Sequence, residues 1–238
     1  MSKKRLLSYI SNEDLYKCVK AVVDPIQEAV KEKEKTLYKN VIDPFSAVFD
    51  SIINEMPLTQ WIAAEKSRQI QKTLQNKIGI FHQSLIGKIE GWEDLGTGEV
   101  VDLRNKDRKI IAEIKNKFNT TKGNHKIAIY DDLENRLKGY DRNWTAYYVE
   151  IIRKSKTSYC RPFTPSDNKT HQKREENSQI KVIDGESFYS LATGSKTALV
   201  DLYKVLPSVI REIVGCTIEI EKDKVYQELF KKAYNIEL

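Results

Sequence analysis

Three residues near the middle of the chain have types and spacing suited to chemistry: Asp102, Glu113 and Lys115, within VVDLRNKDRKIIAEIKNKFN at 100–119. Successive side chains of a strand alternate faces. Ile111, Glu113 and Lys115 therefore share one side of a strand over 109–115, while Ile110, Ala112 and Ile114 share the other. A partner strand over 99–104, turning through Asn105, Lys106, Asp107 and Arg108, brings Asp102 to the same edge. Buried carboxylates without partners are costly, so two of them beside one ammonium call for a cation or strong hydrogen bonds. Magnesium meets that need: it takes oxygen ligands, keeps several waters and requires only one or two protein carboxylates beside substrate phosphate oxygens. It lowers the pKa of a water and offsets charge on a phosphodiester in its transition state, and Lys115 stands ready to orient that water or stabilise the developing charge. The chemistry implied is phosphodiester hydrolysis. A Glu-x-Lys on an exposed strand with an incidental ion pair would look the same in isolation. Here the apolar opposite face, the upstream aspartate, a long helix before the hairpin and a helix and strand after it favour the metal reading.

The elements that must position these groups are legible in outline. Up to residue 88 the chain reads as helices. Ser11 with Asp14 forms a capping-box pattern, Asp24-Pro25 and Asp43-Pro44 each set a capping carboxylate before a proline, and Thr59 is the cap expected for a fourth helix. In that fourth helix Ile62, Ile70, Leu74, Ile78, Phe81 and Leu85 recur at mostly helical intervals, opposite Lys66, Arg68, Gln71, Lys72 and Gln75. Gly91, Gly96 and Gly98 then break helical continuity, with a short strand expected within 89–95 ahead of the hairpin. Ile127, Tyr130, Leu133 and Leu137 mark a helix ending at Gly139. WTAYYVEIIRK predicts a strand over 144–153, and 164–179 reads as a polar loop. IKVIDGESFYSLATG reads as strand, turn and short helix, and 197–214 and 222–235 as two further helices. The fold class is therefore α/β with a mixed sheet and helices at both ends.

Composition sets the frame. At 238 residues, 40% hydrophobic and 31% charged, the chain has the make-up of a globular protein with room for a substantial core. No apolar run approaches the ~20 residues needed to span a bilayer, so no membrane association is expected. MSKKRLLSYISNEDL is basic but lacks a secretory apolar stretch, and Cys18, Cys160 and Cys216 are too far apart to suggest a zinc box. A reducing, cytoplasmic location is expected. The formal charge of +6 suits a polyanionic partner without proving one.

At the residues of the hairpin the sequence resembles the PD-(D/E)xK nuclease superfamily, with Asp102 as the motif aspartate and Glu113-Ile114-Lys115 as its ExK. Val101 stands where the motif carries proline. The wider GWEDLGTGEVVDLRNKDRKIIAEIKNKFNTTKG, together with IKVIDGESFYSLATG, is similar to type II restriction endonucleases, most closely the group cutting GGNCC-type sites. The resemblance runs from about 59 to about 200. It implies a restriction-endonuclease-like core of helix, mixed central sheet, helix and strand over 59–200. A helical N-terminal extension over 1–58 and C-terminal helices over 201–238 would complete one nuclease domain over 1–238. It also implies a Mg²⁺-dependent endonuclease that acts as a homodimer on both strands of a short palindromic duplex site. A cognate DNA methyltransferase would be its functional partner without direct binding. In that reading Asp102 and Glu113 hold metal, Lys115 serves the nucleophile, and a glutamate of the preceding helix, Glu65, completes the site. A solvent-facing helix charge is an equal reading for Glu65.

Two further stretches suit duplex DNA. Asn116, Lys117, Asn119, Thr120, Thr121, Lys122 and Asn124 leave the Glu113 strand with short amides, hydroxyls and cations fit for phosphates or base edges. Arg153, Lys154, Lys156 and Arg161, with Lys173 and Arg174 in the NKTHQKR run at 168–174, offer a second basic surface. His82, His125 and His171 fit no nucleophile or metal pattern and read as core or surface histidines. ATGSKTA at 192–198 lacks the first glycine of a phosphate loop, since Tyr189 occupies that position, and so excludes ATP binding of that type. A structure-selective repair nuclease and a non-catalytic basic DNA-binding protein are the alternatives to a restriction enzyme.

Overall fold

A computed structural model describes residues 4–31, 41–96, 98, 100–121, 123–166 and 172–238. In chain order the helices and strands are α1 (Asn12–Lys31), α2 (Pro44–Ile53), α3 (Leu58–Ile86), β1 (Trp92–Asp94), β2 (Leu103–Asn105), β3 (Ile110–Lys117), α4 (Gly123–Leu137), β4 (Thr145–Ile152), β5 (Cys160–Pro162), β6 (Ile180–Asp184), α5 (Gly185–Thr193), α6 (Ala198–Val214) and α7 (Lys224–Tyr234). The six strands form one mixed sheet in the order β1-β2-β3-β4-β6-β5. β1, β2 and β3 form an antiparallel meander, β4 and β6 add in parallel to β3, and β5 closes the far edge antiparallel to β6. This is the expected α/β order of helix, sheet, helix and strand, with helices before and after it.

The central strands β3, β4 and β6 feed two cores because their side chains alternate. On one face Ile110, Ala112, Ile114, Tyr147, Val149, Ile151 and Ile183 pack with α1, the end of α3, α5 and α6. On the other, Ile111, Ala146, Tyr148, Ile180 and Val182 pack with Ile129, Tyr130, Leu133 and Leu137 of α4. The split of Ile110, Ala112 and Ile114 from Ile111 is the one that strand alternation requires.

The helix starts hold in part. Ser11 Oγ accepts from the Asp14 amide at 3.0 Å and donates to the Asp14 carboxylate at 2.6 Å, and Asp43 accepts from the Phe45 amide at 2.9 Å. Asp24-Pro25, by contrast, starts nothing. α1 runs through Pro25, because Leu15, Cys18, Val19, Val22 and Val23 form one apolar face whose burial outweighs the backbone bond that proline removes. Thr59 is not a cap either, since α3 begins at Leu58 behind Pro57, whose extended backbone serves as the N-cap. The predicted α3 stripe is fully buried only at Phe81 and Leu85, with Ile86 and Gln83 beside them and Trp61 at the other end. β5 has no counterpart among the sequence expectations, since three exposed residues ending in a proline carry no periodic signal. Gly194, in the run that mimics a phosphate loop, ends α5 in the left-handed conformation at φ 76°, and its amide donates to the Ser190 carbonyl.

α5 crosses β4 closely enough that Gly185 touches the β4 backbone. A Cβ there would stand 2.4 Å from the Ile151 carbonyl oxygen and 2.8 Å from its Cα, neither of which can swing aside. Gly185→Ala should therefore lose about 1–3 kcal/mol of stability, measured as a lower urea midpoint at unchanged m-value. A midpoint equal to the parent's would show that the contact relaxes freely.

Candidate active site

The hairpin stops pairing at Asp102, and this places the site. β2 and β3 are in register from Leu103 opposite Ala112 to Asn105 opposite Ile110, and the Asp102 amide still donates to the Ala112 carbonyl at 3.0 Å. Beyond that point the chain turns back toward β1, where the Leu95 amide donates to the Asp102 carbonyl at 3.0 Å. The Asp102 carboxylate thus takes the place of a backbone acceptor, receiving the Ile114 amide at 2.6 Å. Glu113 lies just across from it on the same face, and Lys115 Nζ sits 2.6 Å from Glu113 Oε1. The three predicted side chains converge.

Their charges do not balance. Burial pushes the Asp102 carboxyl above its usual range, a rise limited by the Ile114 amide and the Lys115 ammonium. Burial, and then the Asp102 carboxylate, push Glu113 from 4.5 up to about 7 against the pull of Lys115. Two half-buried carboxylates facing one ammonium leave negative charge that a divalent cation would neutralise, and two carboxylates are the donor set that magnesium commonly uses. Among the described residues no group of three or more His, Cys, Asp or Glu forms a metal cluster, so the fit rests on this pair.

The surroundings contain groups that the sequence did not reveal. Gln83 Nε2 of α3 donates to Asp94 Oδ1 of β1 at 2.8 Å and approaches the Asp102 carbonyl at 3.5 Å. Asp94 adds to the negative field at Asp102. Across the parallel β3–β4 pair, Glu113 stands beside Tyr148 and Lys115 beside Glu150. Glu150 is buried yet satisfied, accepting from Lys126 Nζ at 2.6 Å and from the Tyr159 hydroxyl at 2.5 Å. Lys126 also lies 5.3 Å from the Tyr148 ring centre. Because Lys126 meets the charge of Glu150, Lys115 is left to Glu113. The one available signal was Glu150 itself, a lone carboxylate in the apolar run TAYYVEII.

Glu65 does not join this group. It is paired with Arg68 Nε at 2.9 Å and Gln69 Nε2 at 3.1 Å, and eighteen residues separate it from Gln83, or about 27 Å along the helix at 1.5 Å per residue. The position on α3 that reaches the hairpin is filled by an amide.

The candidate DNA contacts divide. Asn116 and exposed Lys117 close β3, and Asn119, Thr120 and Asn124 are exposed just beyond it. Thr121 is buried, and Lys122 lies outside the described residues. Lys154 and Lys156 line a cavity of about 400 Å³ together with Lys231 and Lys232 of α7. Arg161 is exposed on β5 against the Tyr159 ring, Lys173 bridges to Ser166, and Arg174 forks onto Asp131 with both bonds at 2.8 Å. Residues 168–171, His171 included, also lie outside the described residues. Arg153 is a correction. It is only 6% exposed, donates to Glu186 at 2.5 Å and Asp184 at 3.4 Å, and also meets the Lys156 and Tyr234 carbonyls. It ties the end of β4 to α5 and α7. His82 is likewise structural, with Nδ1 2.8 Å from the Tyr189 hydroxyl and burial holding its imidazole at about 4, whereas His125 is exposed.

Residues 7–215 match the family model described as Eco47II restriction endonuclease. The chain is 41% identical over 220 residues to the type II restriction enzyme Eco47II of Escherichia coli, covering 88% of this chain and 89% of that protein. It is 33% identical over 210 residues to the type II restriction enzyme Sau96I of Staphylococcus aureus, covering 85% of this chain and 79% of that one. No solved structure matches the chain.

Two outcomes follow from this geometry. Glu113 binds its proton more tightly folded than unfolded, so without metal its contribution to stability falls as pH rises from 4.5 to about 7 and is constant above that. A divalent cation that displaces this proton should raise the melting temperature more at about pH 8 than at about pH 5.5, and the difference should vanish in Glu113→Gln; equal shifts at both pH values would exclude the pair as the metal site. Arg153→Ala, which strands Asp184 without its cation, should cost about 3–5 kcal/mol in denaturant unfolding. Unchanged stability with weakened DNA binding would return Arg153 to the DNA surface.

Proposed function

The chain belongs to the Eco47II restriction endonuclease family and is a site-specific endonuclease of DNA, and from that premise we propose that Asp102, Glu113 and Lys115 are its catalytic residues. The observation that carries this reading is the pair of half-buried carboxylates with raised pKa values, set against a single ammonium on one edge of the sheet. Asp102 and Glu113 hold the cation, and magnesium is the ion that best matches two carboxylate donors and a phosphate substrate. When bound, such an ion supplies a water of lowered pKa and offsets the charge that builds on the phosphodiester.

The chain's own groups supply the rest. Ile114 NH fixes the Asp102 carboxylate, so one ligand is oriented before metal arrives. Lys115 donates to the attacking water and steadies the negative charge that develops on the phosphate. Asn116, Lys117, Asn119, Thr120 and Asn124 lie on the path leaving the catalytic strand and serve the DNA backbone or base edges there, while Lys154, Arg161 and Lys173 extend the basic surface. The substrate is a short palindromic duplex site of GGNCC type, cut on both strands by a homodimer, since the described residues of one chain form one such centre. The catalytic core over 59–200 works as a single domain with the helices of 1–58 and 201–238. A methyltransferase protecting the same site is its partner in the cell without touching it, and both act in the cytoplasm. Among the described residues no helix is long and apolar enough to cross a membrane.

Incubation of the protein with plasmid and Mg²⁺ should give discrete, reproducible fragments whose sequenced ends define the site. Asp102→Asn, Glu113→Gln and Lys115→Ala should each lower the rate by about 10³-fold or more while circular dichroism stays unchanged. Ca²⁺ in place of Mg²⁺ should preserve a specific gel shift without cutting. Full turnover by Lys115→Ala would remove the assignment, and nicking confined to branched or damaged DNA would replace restriction by repair.

A further inference from the structure

α2 is built inside out. Its sequence, PFSAVFDSII, turns the small residues Ala47 and Ser51 toward the molecule, where α2 packs on α3, and its large apolar residues toward solvent. Phe45 is 75% exposed, Phe49 67%, and Ile52 and Ile53 each 73%, with Val48 at 52% and, at the start of α3, Leu58 at 55%. Phe45, Val48, Phe49 and Ile52 recur at helical spacing, so they form one continuous stripe. An amphipathic helix normally buries such a stripe, and a large contiguous apolar surface marks an interaction site.

We propose that this α2 face is the surface through which two copies of the chain pair. The proposal deepens the function above, resting on the reading that both strands are cut and that one chain supplies one centre. Size is the first argument. An aromatic side chain buries roughly 150–250 Å² when fully covered and an aliphatic one somewhat less, so these six residues offer about 600–700 Å² of apolar surface. That is most of the ~800 Å² per partner in a standard interface, and above the ~300–600 Å² of the largest patch on an ordinary monomer. Charge is the second. α2 carries no lysine or arginine, so DNA has nothing to pair with there. The rim has both signs, Arg68 lying between Asp50 at 3.3 Å and Glu65 at 2.9 Å, and a rim of mixed sign meets its own two-fold image without net repulsion. Position is the third. Trp61, beside α2, and Gln83, at the catalytic hairpin, are about 33 Å apart along α3, so pairing through α2 leaves both centres open to a duplex.

A second apolar region, Ile218 with Val225 and Leu229 on α7, is also exposed. There the large residues Tyr226, Phe230 and Tyr234 of the same helix face inward, so the outer ones are the remainder of a normally packed helix.

Sedimentation velocity on the full chain tests the assignment. The parent protein should be dimeric at about 10 μM, and the pair Phe49→Glu with Ile52→Glu should weaken self-association at least a hundredfold with unchanged circular dichroism. Phe49→Ser, milder should the charged pair unfold, should weaken it at least tenfold. The pair Val225→Glu with Leu229→Glu should leave the dimer intact. A monomeric parent, a dimer that survives the α2 changes, or dissociation by the α7 changes would each overturn the proposal. A dimer that cuts no DNA would instead refute the nuclease reading and leave this interface standing, whereas a monomer that cuts would refute only the interface.

Discussion

Like charges held close in a partly dry place are the constraint on which the rest of this molecule turns. Asp102 and Glu113 face each other at the open end of a hairpin, and among the described residues one ammonium, that of Lys115, answers the two negative charges. Every neighbouring element serves to keep that imbalance in place. The meander of β1, β2 and β3 fixes the separation of the carboxylates, the parallel addition of β4 walls off one side, and α3 delivers Gln83 to hold Asp94 and the turn behind Asp102. A site that is unfavourable alone and relieved by a cation binds that cation with the free energy that folding left unspent.

The same face of the sheet shows how a second buried carboxylate is handled when no chemistry is asked of it. Glu150 lies next to Lys115 in register and is more deeply buried than Glu113, yet both of its oxygens are satisfied, by Lys126 and Tyr159. Asp184, fully buried on β6, is satisfied by Arg153, the Tyr159 amide and Ser187. The contrast separates structural acids from the proposed functional ones. A structural acid is surrounded by donors, while Glu113 is pushed toward neutrality by burial and then by a second acid.

The outer parts of the molecule divide their surfaces by chemistry. Polar and basic residues gather past the end of β3 and from Lys154 to Arg161, while α2 shows an apolar stripe without basic residues. α3 spans the distance between that stripe and the hairpin of Asp102 and Glu113, which makes it the spine of the fold and, in the proposed reading, the spacer between pairing and cutting. Asp102, Glu113 and Lys115 lie well inside the region that the family model matches.

Much of this was written in the sequence because it depends on local rules. Alternation along β3 determines that Glu113 and Lys115 share a face, the polar residues 105–108 determine that the strands fold back, and together they bring Asp102 alongside. The stripes of α4 and the cap at Asp43 are local in the same sense. What the sequence could not settle are the matters decided by contacts between distant segments. Glu65 and Gln83 stand on one helix, and only the way α3 lies on the sheet decides which of them meets the hairpin. Arg153 looked like a DNA contact because a charge near a strand end is usually solvated, until α5 and α7 closed over it with Glu186 and the Tyr234 carbonyl. The apolar residues of α2 make the same point, since periodicity reports that a face is apolar and not which way it turns. Local spacing sets what a side chain can do, and tertiary packing, through burial and the partners it brings, sets whether it does so.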